Sequence, residues 1–307
     1  MKKIISLVIS VLMLFGMCTP VLAAETEAPF ANSSFYTVGD YTLHYRVFEP
    51  VTSAKKQIML IHGFCLSTVS LEGVAQEYAA KGYRTVLVDA PNFGYSSREA
   101  NDTELLSREE LIGSLMTSLG GKWIVGGHSM GGGIALNLAC DYPETVTGLV
   151  LFAPQTSAQT EETEQNPVLS SLMQTFYNVI LKICLKFPFL VQLFVSMSFS
   201  DAEYAKNYDL TRVTAPLSLP GTGAGVSIMT THTRGPEFDK LKALDIPCVI
   251  ITAANDKVAM ADNLQAIIDN APADTVVYEL AEGGHMMMEY APADVAAKTL
   301  PTVEKAG

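Results

Sequence analysis

Two kinds of apolar spacing divide this chain. Over residues 34–50 apolar and polar side chains alternate, as Phe35-Tyr36-Thr37-Val38 and again after Tyr41, with Gly39-Asp40 between the two halves. A period of two puts every second side chain on one face, so this stretch predicts a β-hairpin bent at Gly39-Asp40. From Gln57 onward the alternation gives way to unbroken apolar runs at 58–61, 85–88, 123–125, 149–152 and 248–251. Strands covered by helices on both faces have this signature, because neither face meets water. Segments with helical spacing separate them at 70–80, 108–119, 132–140 and 261–268, and a last strand is expected over 275–280. This order predicts an α/β domain: a mostly parallel mixed sheet of about eight strands with helices on both faces.

One region breaks the rhythm. Between residues 153 and 247 there is no strand-like run, and residues 166–200 are mostly apolar, interrupted by Lys182, Lys186 and Pro188. They read as two or three helices, and the interruptions argue against a membrane span. An insertion of this length at a sheet edge predicts a helical cap over a site. The expected plan is a leader over 1–23, a core over 24–154 and 241–307, and the cap over 155–240.

Composition narrows the partners. Hydrophobic residues make up 49% and charged residues 17% of the 307, which implies a large core and excludes a disordered chain. The formal charge of −12 argues against nucleic acid or an anionic membrane as a partner. Lys2-Lys3, an apolar run over 4–15 and Val21-Leu22-Ala23 have the form of a bacterial export signal cleaved near Ala23. The competing expectation is an uncleaved N-terminal anchor, since residues 4–24 carry no charge. Cys65, Cys140, Cys184 and Cys248 lack zinc-ligand spacing and are expected as free, buried thiols. No dinucleotide fingerprint and no metal-ligand cluster is present, so no cofactor and no metal is expected.

The chemistry centres on residues 122–141, KWIVGGHSMGGGIALNLACD. A short apolar strand, a tight turn with Ser129 at its tip and a helix follow one another. That context turns Gly127-His128-Ser129-Met130-Gly131 from a weak pattern into a nucleophile elbow, with Gly127 and Gly131 small because a β-carbon would collide across the turn. A serine hydroxyl needs a base within hydrogen-bond reach and a third group to orient that base. Of five histidines, His44 reads as a half-exposed strand residue, His232 as a loop residue and His128 as one that packs or hydrogen-bonds locally. His62 opens His62-Gly63-Phe64. His285 follows Gly283-Gly284 just past the last strand, at the C-terminal edge where open α/β sheets place ligands. Asp256 emerges at that same edge after the run at 248–251, with Asp262 as runner-up inside the next helix.

These marks, with Asp89-Ala90-Pro91-Asn92-Phe93-Gly94-Tyr95-Ser96, resemble the α/β-hydrolase family, in particular its capped, lipase- and esterase-like branch, over roughly residues 35–305. The resemblance implies Ser129 as nucleophile, His285 as base and Asp256 as the group that holds the imidazole. It also implies an oxyanion hole made by the backbone N–H groups of Met130, at the helix N-terminus, and of Phe64, on a loop supported by His62 and Gly63. A serine in this position disfavours the branches that open epoxides or displace halide with an aspartate.

The expected reaction is hydrolysis of small-molecule esters with small to medium apolar acyl groups. A proline-iminopeptidase-like aminopeptidase (aimed by Glu161, Glu162 or Glu164), a carbon–carbon bond hydrolase, a cofactor-free haloperoxidase-like relative and a silent binding protein stay open as alternatives.

Overall fold

The hairpin is β1 (Ser33–Val38) and β2 (Tyr41–Phe48), paired antiparallel from Ser33↔Arg46 to Val38↔Tyr41. Its bend uses Gly39 at φ 56°, a left-handed turn position open to glycine. β3 (Gln57–Ile61), β4 (Arg84–Val88), β5 (Trp123–His128), β6 (Val146–Phe152), β7 (Cys248–Ala253) and β8 (Val276–Leu280) complete the sheet. These coordinates are a computed structural model that describes residues 28–98, 107–156, 167–231 and 234–307. The segment expected as an export signal, together with Glu161, Glu162, Glu164 and His232, lies outside the described residues.

The eight strands run in the order β1-β2-β4-β3-β5-β6-β7-β8. β1, β2 and β4 pair antiparallel and all later neighbours pair parallel. After β4 the chain crosses back over β3 to start β5. The strand order therefore reverses between β3 and β5, the kind of switch point past whose C-terminal strand ends open α/β sheets form their ligand crevice.

Each apolar run is divided between two cores by the pleat. Ile58, Leu60, Ile124, Val150, Phe152, Val249 and Ile251 face one side. Met59, Ile61, Trp123, Val125, Leu149, Leu151 and Ile250 face the other. The helices α1 (Glu72–Ala80), α2 (Arg108–Leu119) and α3 (Met130–Asp141) cover these faces with α10 (Ala261–Asp269), α11 (Met287–Tyr290) and α12 (Pro292–Lys305). α2 starts at a reciprocal cap in which the Ser107 hydroxyl accepts from the Glu110 N–H and the Glu110 carboxylate accepts from the Ser107 N–H.

Between β6 and β7 the described chain holds helices and no strand. They are α4 (Pro167–Lys186), α5 (Pro188–Ser198), α6 (Ala202–Lys206), α7 (Thr211–Leu217), α8 (Thr222–Thr231) and α9 (Phe238–Ala243). Pro188 separates α4 from α5 because it sits in the first turn of the second helix, where its missing N–H costs nothing. Cys65, Cys140, Cys184 and Cys248 are free thiols; Cys140 and Cys248 are buried, but Cys65 and Cys184 are only half-buried. Burial pushes the Cys248 thiol up to about 12 and that of Cys140 up to about 11.

Candidate active site

β5 ends at His128, and Ser129 stands between it and α3 with φ 51° and ψ −118°, a conformation L-residues rarely adopt. The surroundings hold it there. Its N–H donates to Phe152 O at 2.9 Å, and its carbonyl accepts from Gly132 N at 2.9 Å and Gln155 N at 3.0 Å. The turn passes so close to β3 that a β-carbon on Gly131 would lie 2.1 Å from Ile61 O, and one on Gly127 2.5 Å from the same atom. Strain of this kind persists where the neighbours over-determine it, and at such sites it serves to present a side chain.

β7 and β8 deliver the second half. Asp256 and His285 meet at 2.8 Å through Oδ2 and Nδ1, and both side chains are buried. The other oxygen, Oδ1, accepts from Val258 N and Ala259 N at 2.8 and 2.9 Å. Burial works to raise the Asp256 carboxyl, but the His285 hydrogen bond and these two N–H groups outweigh it and hold the pKa below the ordinary value. Beside an ionised Asp256 the short contact puts a proton on Nδ1, the tautomer in which Nε2 is the nitrogen able to accept one. The runner-up Asp262 is exposed in the first turn of α10.

The two halves touch through His128. Its ring centroid lies 4.6 Å from that of His285, edge to face, and its Nε2 donates to His285 O at 2.9 Å. Burial holds the His128 imidazole well below its usual pKa, so it is neutral. Its role exceeds local packing: it ties the residue before Ser129 to the loop that carries His285. Asn255 makes a second tie, donating to Ala281 O at 3.1 Å and accepting from Gly284 N at 3.2 Å.

The loop after β3 packs beside the same turn. His62 donates from Nδ1 to Gly63 O at 2.7 Å and accepts at Nε2 from Ala90 N at 3.0 Å. Burial lowers its pKa despite Asp89 3.8 Å away, so this imidazole is also neutral. Gly63 packs against His128, where a β-carbon would lie 2.5 Å from Nδ1. Phe64 rests edge to face on the buried Phe93 at 5.4 Å. Among the described residues, the backbone N–H groups of Phe64 and Met130 have no protein acceptor.

His44 is not half-exposed. It is wholly buried, with Nδ1 2.7 Å from Asp89 Oδ2 and Nε2 2.7 Å from the Ser33 hydroxyl. Alternation along β2 suggested an outward residue, but Ser33 and Asp89 give the imidazole polar partners that make an inward position tolerable. The inserted helices are also joined to the His285 loop. Gly283 N donates to Ser200 Oγ at 2.8 Å, and Arg212 pairs with the buried Glu289 at 2.8 Å. Asn255, Ser200 and Arg212 carry no periodic signal, so the pattern of the sequence did not single them out.

A family model for the α/β hydrolase fold matches residues 56–292. An abhydrolase domain-containing protein of Caenorhabditis elegans (abhd-5.2) is 34% identical over 140 residues, 43% of this chain and 30% of that protein. A monoacylglycerol lipase of Mycolicibacterium smegmatis is 29% identical over 136 residues, 42% of this chain and 48% of that one. The chain thus aligns with less than half the length of either relative. A thermophilic esterase from Thermogutta terrifontis superposes with a TM-score of 0.68 at 19% identity, covering 90% of this chain and 99% of that one. At that identity the likeness speaks for the fold alone.

Proposed function

The chain belongs to the α/β-hydrolase family, and from that premise we propose that Ser129, His285 and Asp256 form a catalytic triad that hydrolyses carboxylic esters with small to medium apolar acyl groups. Ser129 Oγ attacks the ester carbonyl carbon and its proton passes to His285 Nε2. Asp256 holds the Nδ1–H and stabilises the imidazolium that forms. The tetrahedral oxygen takes its negative charge between the N–H groups of Met130 and Phe64, both without a protein acceptor. Collapse breaks the ester C–O bond and returns the proton from Nε2 to the leaving alcohol. Water then repeats the sequence on the acyl-enzyme, with His285 again as base.

The observation that carries this reading is the Asp256–His285 hydrogen bond, on a loop pinned through His128 to the residue next to Ser129. It orients the imidazole on a loop held against the residue that precedes the strained serine. The inserted helices serve in this reading as a cap over the crevice. Hydrolysis of p-nitrophenyl butyrate tests it: Ser129→Ala should lower kcat on the order of 10⁴–10⁶-fold, and a rate equal to that of the wild type would sink the proposal.

A further inference from the structure

Helices that cover a sheet normally turn a polar face to water. The pair α4 and α5 does not. On α4, Leu172, Phe176, Val179, Ile180 and Ile183 are exposed, at the spacing of one helix face. Phe187, before α5, and Phe189, Leu193, Phe194 and Met197 on it are exposed as well, with Phe189 reaching 66% and Leu193 58%. The inward side is apolar too: Leu181, Cys184, Leu185 and Val191 pack in the core cluster that contains Met286. The outward side chains are therefore surplus to the fold. Exposed large apolar side chains in this number on two consecutive helices mark an interaction site.

Charge and shape say what it meets. Between residues 171 and 198 the only charges are Lys182 and Lys186, and there is no carboxylate, in a chain of formal charge −12. Among the described residues no single helix is long and apolar enough to cross a membrane, but these two together are, and they bend by 92°. A right-angled pair of that hydropathy is suited to lie in an interface, its side chains among acyl chains and its lysines reaching back to the headgroups. A second copy suits the surface less well, since a two-fold contact would bring four ammonium groups together with no carboxylate from either hairpin. The negative charge elsewhere on the protein matters little at this face beyond about 10 Å, the screening length in ordinary salt.

We infer that the outward face of α4 and α5 docks on a lipid bilayer and, resting on the ester-hydrolase reading, that the natural substrate is an ester dissolved in that bilayer. The helix that carries part of this surface reaches the site. α5 ends against the His285 loop, where a β-carbon on Gly284 would lie 2.7 Å from Ser198 O, and Ser200 holds Gly283.

The test uses the full chain and a local probe. The one native tryptophan, Trp123, is wholly buried, so Phe194→Trp adds a single exposed reporter. With phosphatidylcholine–phosphatidylglycerol vesicles, its emission should shift to the blue and be quenched by lipids brominated on the acyl chain. Phe189→Asp/Leu193→Asp in the same background should cut vesicle partition at least about tenfold, whatever the N-terminal segment contributes. That variant should keep its rate on soluble p-nitrophenyl butyrate and lose rate on an apolar p-nitrophenyl ester partitioned into the vesicles. An unquenched, water-like emission overturns docking, as does a blue shift that appears without lipid and grows with protein concentration, which would assign the face to a second copy. Repeating the partition with Ser129→Ala separates the two claims: docking should persist without catalysis, and its loss in that variant overturns the inference while leaving the hydrolase reading to its own assay.

Discussion

The molecule contains two arrays of the same three side chains. In one, Ser33 Oγ lies 2.7 Å from His44 Nε2, and His44 Nδ1 lies 2.7 Å from Asp89 Oδ2. In the other, Asp256 holds His285 beside the turn that carries Ser129. By side-chain inventory the first array looks the more complete. Its backbone says otherwise. Ser33 sits inside the β1–β2 ladder opposite Arg46, in ordinary strand conformation, whereas Ser129 has φ 51° at the mouth of a helix. Asp89 is committed to the fold on both oxygens, accepting Thr68 N at Oδ1 and Tyr95 N at Oδ2, with Ser96 on its carbonyl. The buried His44–Asp89 pair fastens β2 to the loop after β4. In the proposed reading, what separates an acyl-transfer site from a structural tie is a serine pushed out of the regular backbone and two N–H donors with no acceptor among the described residues. The trio alone decides nothing.

Substitutions matched across the two arrays sharpen the contrast. After Ser129→Ala, the largest activity loss is expected from Asp256→Asn, about 10⁴-fold in kcat, because the imidazole would lose its fixed tautomer. The equivalent change in the other array, Asp89→Asn, should act on stability instead. Breaking a buried, multiply bonded carboxylate costs about 3–5 kcal/mol, to be read from the denaturant midpoint, with kcat of the folded enzyme changed by less than tenfold.

Acid should separate their contributions next. Asp89 and Asp256 both have folded pKa values below the ordinary one, since their partners outweigh burial. The stability they confer is present above about pH 4 and is lost as pH falls through the folded values. His62 and His128 are held neutral by burial, so unfolding takes up protons once pH drops below about 6.5, and stability declines there first. A plot of thermal midpoint against pH for His128→Gln should be flatter between about pH 7 and 5 than that of the wild type. If the two curves run parallel, the buried, neutral assignment of His128 is wrong. The smallest effect should come from Ser33→Ala: a loss of about 1 kcal/mol in stability, and turnover within twofold of the wild type on p-nitrophenyl butyrate.

Much of this was legible in the chain. The unbroken apolar runs located the parallel strands because burial on both faces leaves no polar position to alternate with. The glycines flanking Ser129 located the elbow, since Gly127 and Gly131 stand where Ile61 O leaves no room for a β-carbon. His285 and Asp256 were placed by their distance past strand ends, a local feature. The partners of His44 were not legible, because Ser33 and Asp89 come from β1 and from the loop after β4, and only the assembled sheet brings them together. His128 was underestimated for the same reason: its bond is to a carbonyl far along the chain. The apolar character of residues 166–200 was visible, but spacing could not say that both faces of α4 and α5 would be apolar and that one would remain exposed.

The most direct measurement is labelling with a fluorophosphonate followed by mapping of the modified peptide, because it reports which of the two serines is the nucleophile. A single adduct on Ser129, abolished by Ser129→Ala and retained by Ser33→Ala, is the predicted result. An adduct on Ser33, or labelling that survives Ser129→Ala, would contradict the account.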